Sequence, residues 1–331
     1  MITGETYPKL KFIDLFSGIG GFRLALEKYG MECVFSSEWD KDAQKTYEAN
    51  FGNKPEGDIT KIEESTIPEH NILCAGFPCQ AFSISGKQRG FEDTSGTLFF
   101  DIARIARYRK PEILFLENVK NFARHDSGKT LKVVLDTLDD IGYLTFHKVL
   151  NASFYGVPTA RKRIYIVAFR KDLGIKNFRF PSPKNVPVKL LNYLLPESEV
   201  PKELFIKRDD IKLRDIKINQ LLDNSFPQKP IRVGTINKGG QGERIYSDLG
   251  HAITLSAYGG GAGSKTGAYL VNHKVRKLAP RECARVMGFP DDFKIPVSTT
   301  QAHKQFGNSV AVPVLESIFE SIVRVYNGYQ L

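Results

Sequence analysis

The chain has 331 residues, 41% hydrophobic and 25% charged, which suits a globular protein with a buried core and either two domains or one large domain with an insertion. No unbroken apolar run approaches the roughly 18 residues of a membrane span, and the N-terminus lacks a basic-then-apolar signal, so a cytoplasmic chain with no membrane partner is expected. The net charge is +10, and residues 231–310 hold eleven Lys/Arg against five Asp/Glu, an excess that points to nucleic acid rather than to a membrane surface.

Over the first 170 residues strand-like and helix-like patterns alternate, which predicts a parallel α/β sheet. Residues 11–16 (KFIDLF) read as a buried strand, 17–21 as a glycine turn, and 22–29 as a helix stopped by Gly30. A second strand over 32–36 runs up to Glu38, a short one is expected around 58–60, and further strands over 71–77 and 112–119. Ser95 is placed to cap a helix whose Leu98, Phe99, Ile102, Ile105 and Ala106 share one face. Leu131, Val134, Leu135, Leu138 and Ile141 repeat that spacing, and strands over 143–150 and 163–170 follow. Residues 180–230 are proline-rich with no clean period and read as a connector. Residues 237–267 are glycine-dense with strand-forming pieces such as 252–258, which predicts a small, irregular β region. From Val314 to Tyr326 the apolar spacing is that of a strongly amphipathic helix, whose natural partner is the first sheet.

A strand, then F-S-G-I-G-G, then a helix is a ligand-binding arrangement, but not a dinucleotide fingerprint. The position for the third glycine holds Arg23, so a pyrophosphate is not provided for. Gly18, Gly20 and Gly21 still let a ligand approach the backbone. Glu38, ending the second strand, is placed to hold two ribose hydroxyls, and Asp58 to accept from an adenine amine. Such a set fits an adenosine that carries a cation, as S-adenosylmethionine does. A plain tight turn with surface acids is the alternative.

Four cysteines, Cys33, Cys74, Cys79 and Cys283, are too few and too scattered for a disulfide framework or a structural zinc site, and no metal is expected. Cys33, Cys74 and Cys283 read as packing. Cys79 follows a buried strand in G-F-P-C-Q, so it falls at the carboxyl edge where α/β proteins bind ligands. Glu117 ends the next apolar run, where a carboxylate is expensive unless used. Arg161 and Arg163 alternate at the mouth of another strand and so point to one side. A thiol, a carboxyl and two guanidiniums beside a cationic methyl donor describe methylation of cytosine carbon 5. Thiolate attack on carbon 6 makes carbon 5 an enamine carbon, while the glutamate, holding N3 and the exocyclic amine, draws off the charge that builds up.

Six motifs in order bring these residues together: D-L-F-S-G-I-G-G (14–21), G-F-P-C-Q (76–80), E-N-V (117–119), R-K-R (161–163), R-E-C-A-R-V-M-G-F-P (281–290) and Q-F-G-N-S-V (305–310). Across nearly its whole length the chain resembles the DNA cytosine-5 methyltransferase family. The stretch G-F-P-C-Q-A-F-S-I-S-G-K-Q and residues 238–247 are most similar to bacterial members acting at GCGC. The resemblance implies a Rossmann-like, S-adenosylmethionine-dependent sheet, which releases S-adenosylhomocysteine as product, with a smaller β-rich target-recognition domain. It implies Cys79 as nucleophile, Glu117 as the cytosine-binding acid, and Arg161 and Arg163 as supporting cations. Phe16, Gly18, Gly20, Gly21, Glu38, Trp39, Asp58, Ile59, Pro78, Leu98 and Asn308 would form the cofactor site. Ser85 and Gln241 would enter the space left by a flipped cytosine, Arg244 would read a guanine, and Thr254 and Tyr258 would also contact DNA. The match is poor over 183–230, and residues 248–251 depart from the pattern within the recognition loop.

The expected division is a catalytic domain over 1–180, a connector and recognition domain over 181–303, and a segment over 304–331 that returns to the first. A monomer acting on double-stranded DNA is expected, paired in function but not in a stable complex with a restriction endonuclease. Two rivals are weighed. An RNA cytosine-5 methyltransferase would carry a C-F-T tripeptide that is absent, and an inactive DNA-binding regulator would lack Cys79 or Glu117, both of which are present.

Overall fold

The computed structural model describes residues 9–78, 98–184, 186–214 and 229–328. Its first sheet has the order β2-β1-β3-β4-β6-β5, built from β1 (Lys11–Leu15), β2 (Glu32–Ser37), β3 (Ile72–Gly76), β4 (Ile113–Val119), β5 (Tyr143–Asn151) and β6 (Lys162–Arg170). Helices α1 (Gly21–Glu27), α2 (Lys41–Phe51), α3 (Leu98–Arg109) and α4 (Lys129–Asp140) come from the intervening segments.

Alternation along each strand sends successive side chains to opposite faces, and each face acquires its own core. Phe12, Cys74, Phe115 and Val167 point to one side, where they pack with Phe22 of α1 and with Leu315, Ile318, Phe319 and Ile322 of the C-terminal helix. Ile13, Leu73, Leu114 and Ile166 point to the other, against Ile102 and Ile105 of α3 and Val134 and Leu138 of α4. The C-terminal helix therefore covers the first sheet as its apolar stripe predicted. Within residues 299–327 an 18-residue stretch is apolar enough to cross a membrane by length and composition alone, but 67% of that stretch is buried inside the fold, as expected of core helices.

The second sheet has the order β11-β10-β9-β8-β7, from β7 (Ile211–Leu213), β8 (Arg232–Ile236), β9 (Arg244–Ser247), β10 (Ala268–Val271) and β11 (Lys274–Arg276). Three helices complete the chain: α5 (Pro280–Val286), α6 (Thr299–Asn308) and α7 (Val312–Asn327). Arg276 and Glu282 form a bidentate pair, 2% and 0% exposed, and Glu282 also accepts from the Ala279 and Leu195 backbone N–H groups. With its acceptors engaged, this buried carboxylate ties the end of the second sheet to α5 and to the connector.

Several expectations need correction. The first sheet is mixed, because β6 runs antiparallel to both β4 and β5. Residues 58–60 form no strand: the Asp58 carboxylate accepts from the Thr60 N–H and closes a short 3-10 turn, Ile59–Lys61. The glycine-dense region is irregular as expected, giving the second sheet only β9, but residues 252–258 form no strand and contribute one bridge, Ala252 with Thr159. The α2, α5 and α6 helices were not anticipated, and the Ser95 cap lies outside the described residues.

Ile318 is fully buried between α7 and the first sheet. Ile318→Ala is expected to cost about 2–5 kcal/mol, read as a lowered urea midpoint. A loss under about 0.5 kcal/mol, the range of an ordinary surface substitution, would show that α7 does not depend on this packing.

Candidate active site

The carboxyl ends of β1, β3 and β4 share one edge of the first sheet. Because β6 is reversed, its first residues arrive at that same edge, with Arg163 opposite Val119. A cleft of about 730 Å3 opens there.

One end of the cleft is built on the turn after β1. Gly20 has φ +86, and a Cβ on it would lie 2.2 Å from the Phe51 ring, while a Cβ on Gly21 would lie 2.4 Å from Val310. Glycine at both positions lets the turn sit against α2 and the C-terminal segment. The Glu38 carboxylate is buried and accepts from the Gly18 and Asp40 N–H groups, each at 2.8 Å. Burial raises its pKa, and the N–H groups of Asp40 and Gly18 oppose that rise. Trp39 follows, 76% exposed, its ring on the cleft wall. Asp58 reaches the cleft with one oxygen held by the N–H and hydroxyl of Thr60. Phe16, Gly18, Gly21, Ile59, Pro78, Leu98 and Asn308 also line it, so of the predicted cofactor residues only Gly20 stands outside the lining.

The other end holds Glu117, Arg161 and Arg163. Arg163 Nε is 3.0 Å from Glu117 Oε1, a Coulombic contact in which Oε1 accepts no well-directed hydrogen bond. Burial raises the pKa of Glu117, opposed by the charges of Arg163 and Arg161. Arg161 is buried and donates to the carbonyls of Leu255 and Gly307, each at 3.1 Å, and of Ser309. Burial, with Arg163 beside it, lowers its pKa to about 9. Asn118 donates to the Phe77 carbonyl at 3.0 Å and so fastens the end of β4 to the segment leading into Pro78. Sequence reasoning passed over Asn118 although it stands inside the E-N-V motif. It also missed Asp40, Lys304, Gln305 and Ser309 on the cleft wall, three of them in or beside the quoted Q-F-G-N-S-V run.

Tyr258, 75% exposed, lines the cleft as well, which therefore has two solvent-facing aromatic rings available for stacking. Thr254 does not line it and donates its hydroxyl to the Ala160 carbonyl at 2.8 Å. Gln241 and Arg244 are exposed on the second sheet, Arg244 beginning β9 opposite Thr235. Cys79 and Ser85 lie outside the described residues. Of the described cysteines, Cys74 and Cys283 are fully buried and burial pushes their thiols well up, and burial pushes Cys33 up to about 12. None of these three supplies a thiolate near neutral pH.

The raised pKa of Glu117 fixes the sign of a pH effect. Above the ordinary value of 4.5 and below its own, the folded chain keeps a proton that the unfolded chain releases, so stability falls as pH rises through that window. Glu117→Gln removes this component. The stability of the variant relative to wild type is expected to improve as pH goes from about 5 to about 8, measured by urea midpoints. Parallel curves would show that Glu117 is ionised throughout.

The family of C-5 cytosine-specific DNA methylases matches residues 10–324. The type II methyltransferase M.HhaI of Haemophilus parahaemolyticus is 61% identical over 313 residues, covering 95% of this chain and 94% of that protein. M.HpaII of Haemophilus parainfluenzae is 45% identical, covering 96% and 92%. Among solved structures, Spodoptera frugiperda DNMT2 shares the fold at a TM-score of 0.73 and 19% identity, covering 95% of this chain and 99% of its own. The chain thus belongs to the C-5 cytosine-specific DNA methylase family and is a DNA (cytosine-5-)-methyltransferase.

Proposed function

We propose that this enzyme uses S-adenosylmethionine to methylate the inner cytosine of GCGC in double-stranded DNA, as the modification partner of a restriction endonuclease. The observation that carries the reading is one continuous cleft in which the Glu38–Trp39–Asp58 wall and the Glu117–Arg163 pair stand together, with Pro78, the residue before Cys79, between them in sequence and on the same lining. The wall suits the cofactor: two carboxylates, an exposed indole and the apolar surfaces of Phe16, Ile59 and Leu98 match an adenosine, and a volume of about 730 Å3 accommodates ligand and base. When bound, the cofactor supplies an electrophilic methyl group.

The remaining chemistry belongs to the chain. Cytosine carbon 6 is shielded by stacking, so the base must leave the duplex, and the cleft is where it would enter. Cys79 thiolate adds to carbon 6, and the ring electrons move towards N3 and carbon 5. Glu117, whose pKa burial raises against the pull of Arg163 and Arg161, gives a proton to N3 and accepts from the exocyclic amine, so this charge is neutralised as it forms. Arg163 holds the Glu117 carboxyl in place. Arg161, committed to three carbonyls, positions the loop at Leu255 and the end of α6 beside the site. After carbon 5 is methylated its proton leaves to water, the electrons of that bond form the carbon 5–carbon 6 double bond as the carbon–sulfur bond breaks to release the thiolate, and N3 returns its proton to Glu117.

In this reading the five-stranded sheet carries recognition within residues 181–303, Tyr258 and Thr254 connect it to the cleft, and Ser85 and Gln241 fill the gap left by the flipped base. The protein works as a cytoplasmic monomer, without metal and without a stable complex with the endonuclease. The exposed Arg244 has the reach for a bidentate contact to guanine in the major groove, and the lysines and arginines around it supply phosphate affinity that is blind to sequence.

Cys79→Ser is expected to abolish methylation while DNA affinity survives, since phosphate contacts supply most of it. DNA with 5-fluorocytosine at the target should give a denaturant-stable complex that requires both S-adenosylmethionine and Cys79. Near-wild-type turnover by the serine variant, or no trapped complex with active enzyme, would overturn the covalent route.

Arg244→Ala is expected to lose about 1–3 kcal/mol of discrimination at one guanine when methylation is measured on sites varied at each GCGC position. Equal loss on every site would make Arg244 a phosphate contact. Wild-type activity on sites without GCGC would remove the sequence assignment.

A further inference from the structure

Asp40, in the loop after β2, and Lys304, on α6, come from opposite ends of the chain and meet on the cleft wall with Nζ and Oδ2 2.7 Å apart. Each side chain is about 30% exposed, so the pair sits at the boundary between cleft and solvent. All of the Asp40 polar groups described are committed. Its Oδ1 caps α2 by accepting from the N–H groups of Asp42 and Ala43, its Oδ2 takes Lys304, and its own N–H donates to Glu38. A single series of charge-assisted bonds therefore runs from Lys304 through Asp40 and Glu38 to Gly18, with Trp39 in the middle of it. Trp39 is mostly solvent-exposed, so packing does little to fix it; the Glu38 backbone beside it is bonded to Glu56 and Gln44, and on the other side the Asp40 side chain ties the loop to Lys304. Asp42 and Tyr258 also face Lys304.

We propose that the Asp40–Lys304 pair is a latch that holds the Trp39 loop against α6 and slows release of the cofactor. The inference rests on the cofactor site assigned above. A mere surface pair would support the fold and leave ligand exchange untouched. Here the fold has a neighbouring tie, because Thr46 of α2 donates to Gln305 of α6 at 3.0 Å, one residue beyond Lys304. Removing the latch should therefore leave α2 and α6 joined and change the loop alone.

Trp39 is the single tryptophan of the chain and so the intrinsic reporter of this wall. The experiment follows release of labelled S-adenosylhomocysteine by rapid filtration, together with Trp39 fluorescence. It compares wild type with Lys304→Met, Lys304→Arg and Asp40→Asn, the last of which keeps a capping side chain. The Met and Asn variants are expected to release the ligand about two- to fivefold faster, in the range of a partly exposed ion pair, with Lys304→Arg returning towards wild type. Added salt should speed release from wild type and have little effect on the Met variant. The KM for S-adenosylmethionine should rise without a fall in kcat. Equal release rates in all four proteins would overturn the latch and leave the cofactor site standing. Absence of S-adenosylhomocysteine binding to wild type by filtration would remove the cofactor site and the latch with it.

Discussion

Arg161 donates to three carbonyls on two segments, Leu255 in its loop and Gly307 and Ser309 at the end of α6. A guanidinium in so dry a place is tolerated because its two terminal nitrogens find carbonyl acceptors and because Glu117 contributes an opposing charge nearby, although its Nε is left without an acceptor. Much of the site depends on that arrangement. It brings the glycine-rich region, the C-terminal segment and the start of β6 to one edge of the first sheet.

The reversal of β6 is the topological counterpart. In a wholly parallel sheet the first residues of every strand lie at the edge away from the ligand. One antiparallel strand beside β4 places Arg163 opposite Val119 and within 3.0 Å of Glu117. The acid is thus supported by a cation from the next strand rather than from a loop. Burial and Arg163 act on the Glu117 pKa in opposite directions, and burial prevails. The raised pKa comes with a fixed orientation, because the cation stands 3.0 Å from the carboxyl.

The same edge joins two chemically different ends. The Glu38–Trp39–Asp58 wall is polar and aromatic, set by backbone N–H groups reaching carboxylates and by a turn that only glycine fits against Phe51 and Val310. The Glu117 end is set by buried ion pairing. Asn118 bridges the two by holding the Phe77 carbonyl, so the position of the segment before Cys79 is tied to the strand that carries the acid. The loop between β9 and β10 meets the cleft at Tyr258, and its Thr254 and Leu255 bond to Ala160 and Arg161 just before β6.

Alternating apolar patterns determined the strands of the first sheet, the α3, α4 and C-terminal helices and the two faces of the core, because burial at periods of 2 and 3.6 leaves its mark in local sequence. Local sequence also placed the charges at strand ends: Glu117 and Glu38 close apolar runs, where a carboxylate is costly without a use, and Arg161 and Arg163 alternate at the mouth of another strand. The direction of β6 was beyond it, because hydrogen-bond polarity between strands leaves no periodic trace. So was the turn at Asp58, where one side-chain bond to Thr60 outweighed a strand-like run. The α2 helix was missed because its buried positions, among them Gln44, Thr46 and Tyr47, are too polar to show a stripe. Asp40 and Lys304 meet across 264 residues, and only the packing of α6 against α2 could decide that they do. Tertiary structure likewise decided that Arg161 would bond carbonyls, because its partners at Leu255, Gly307 and Ser309 lie 94 to 148 residues away.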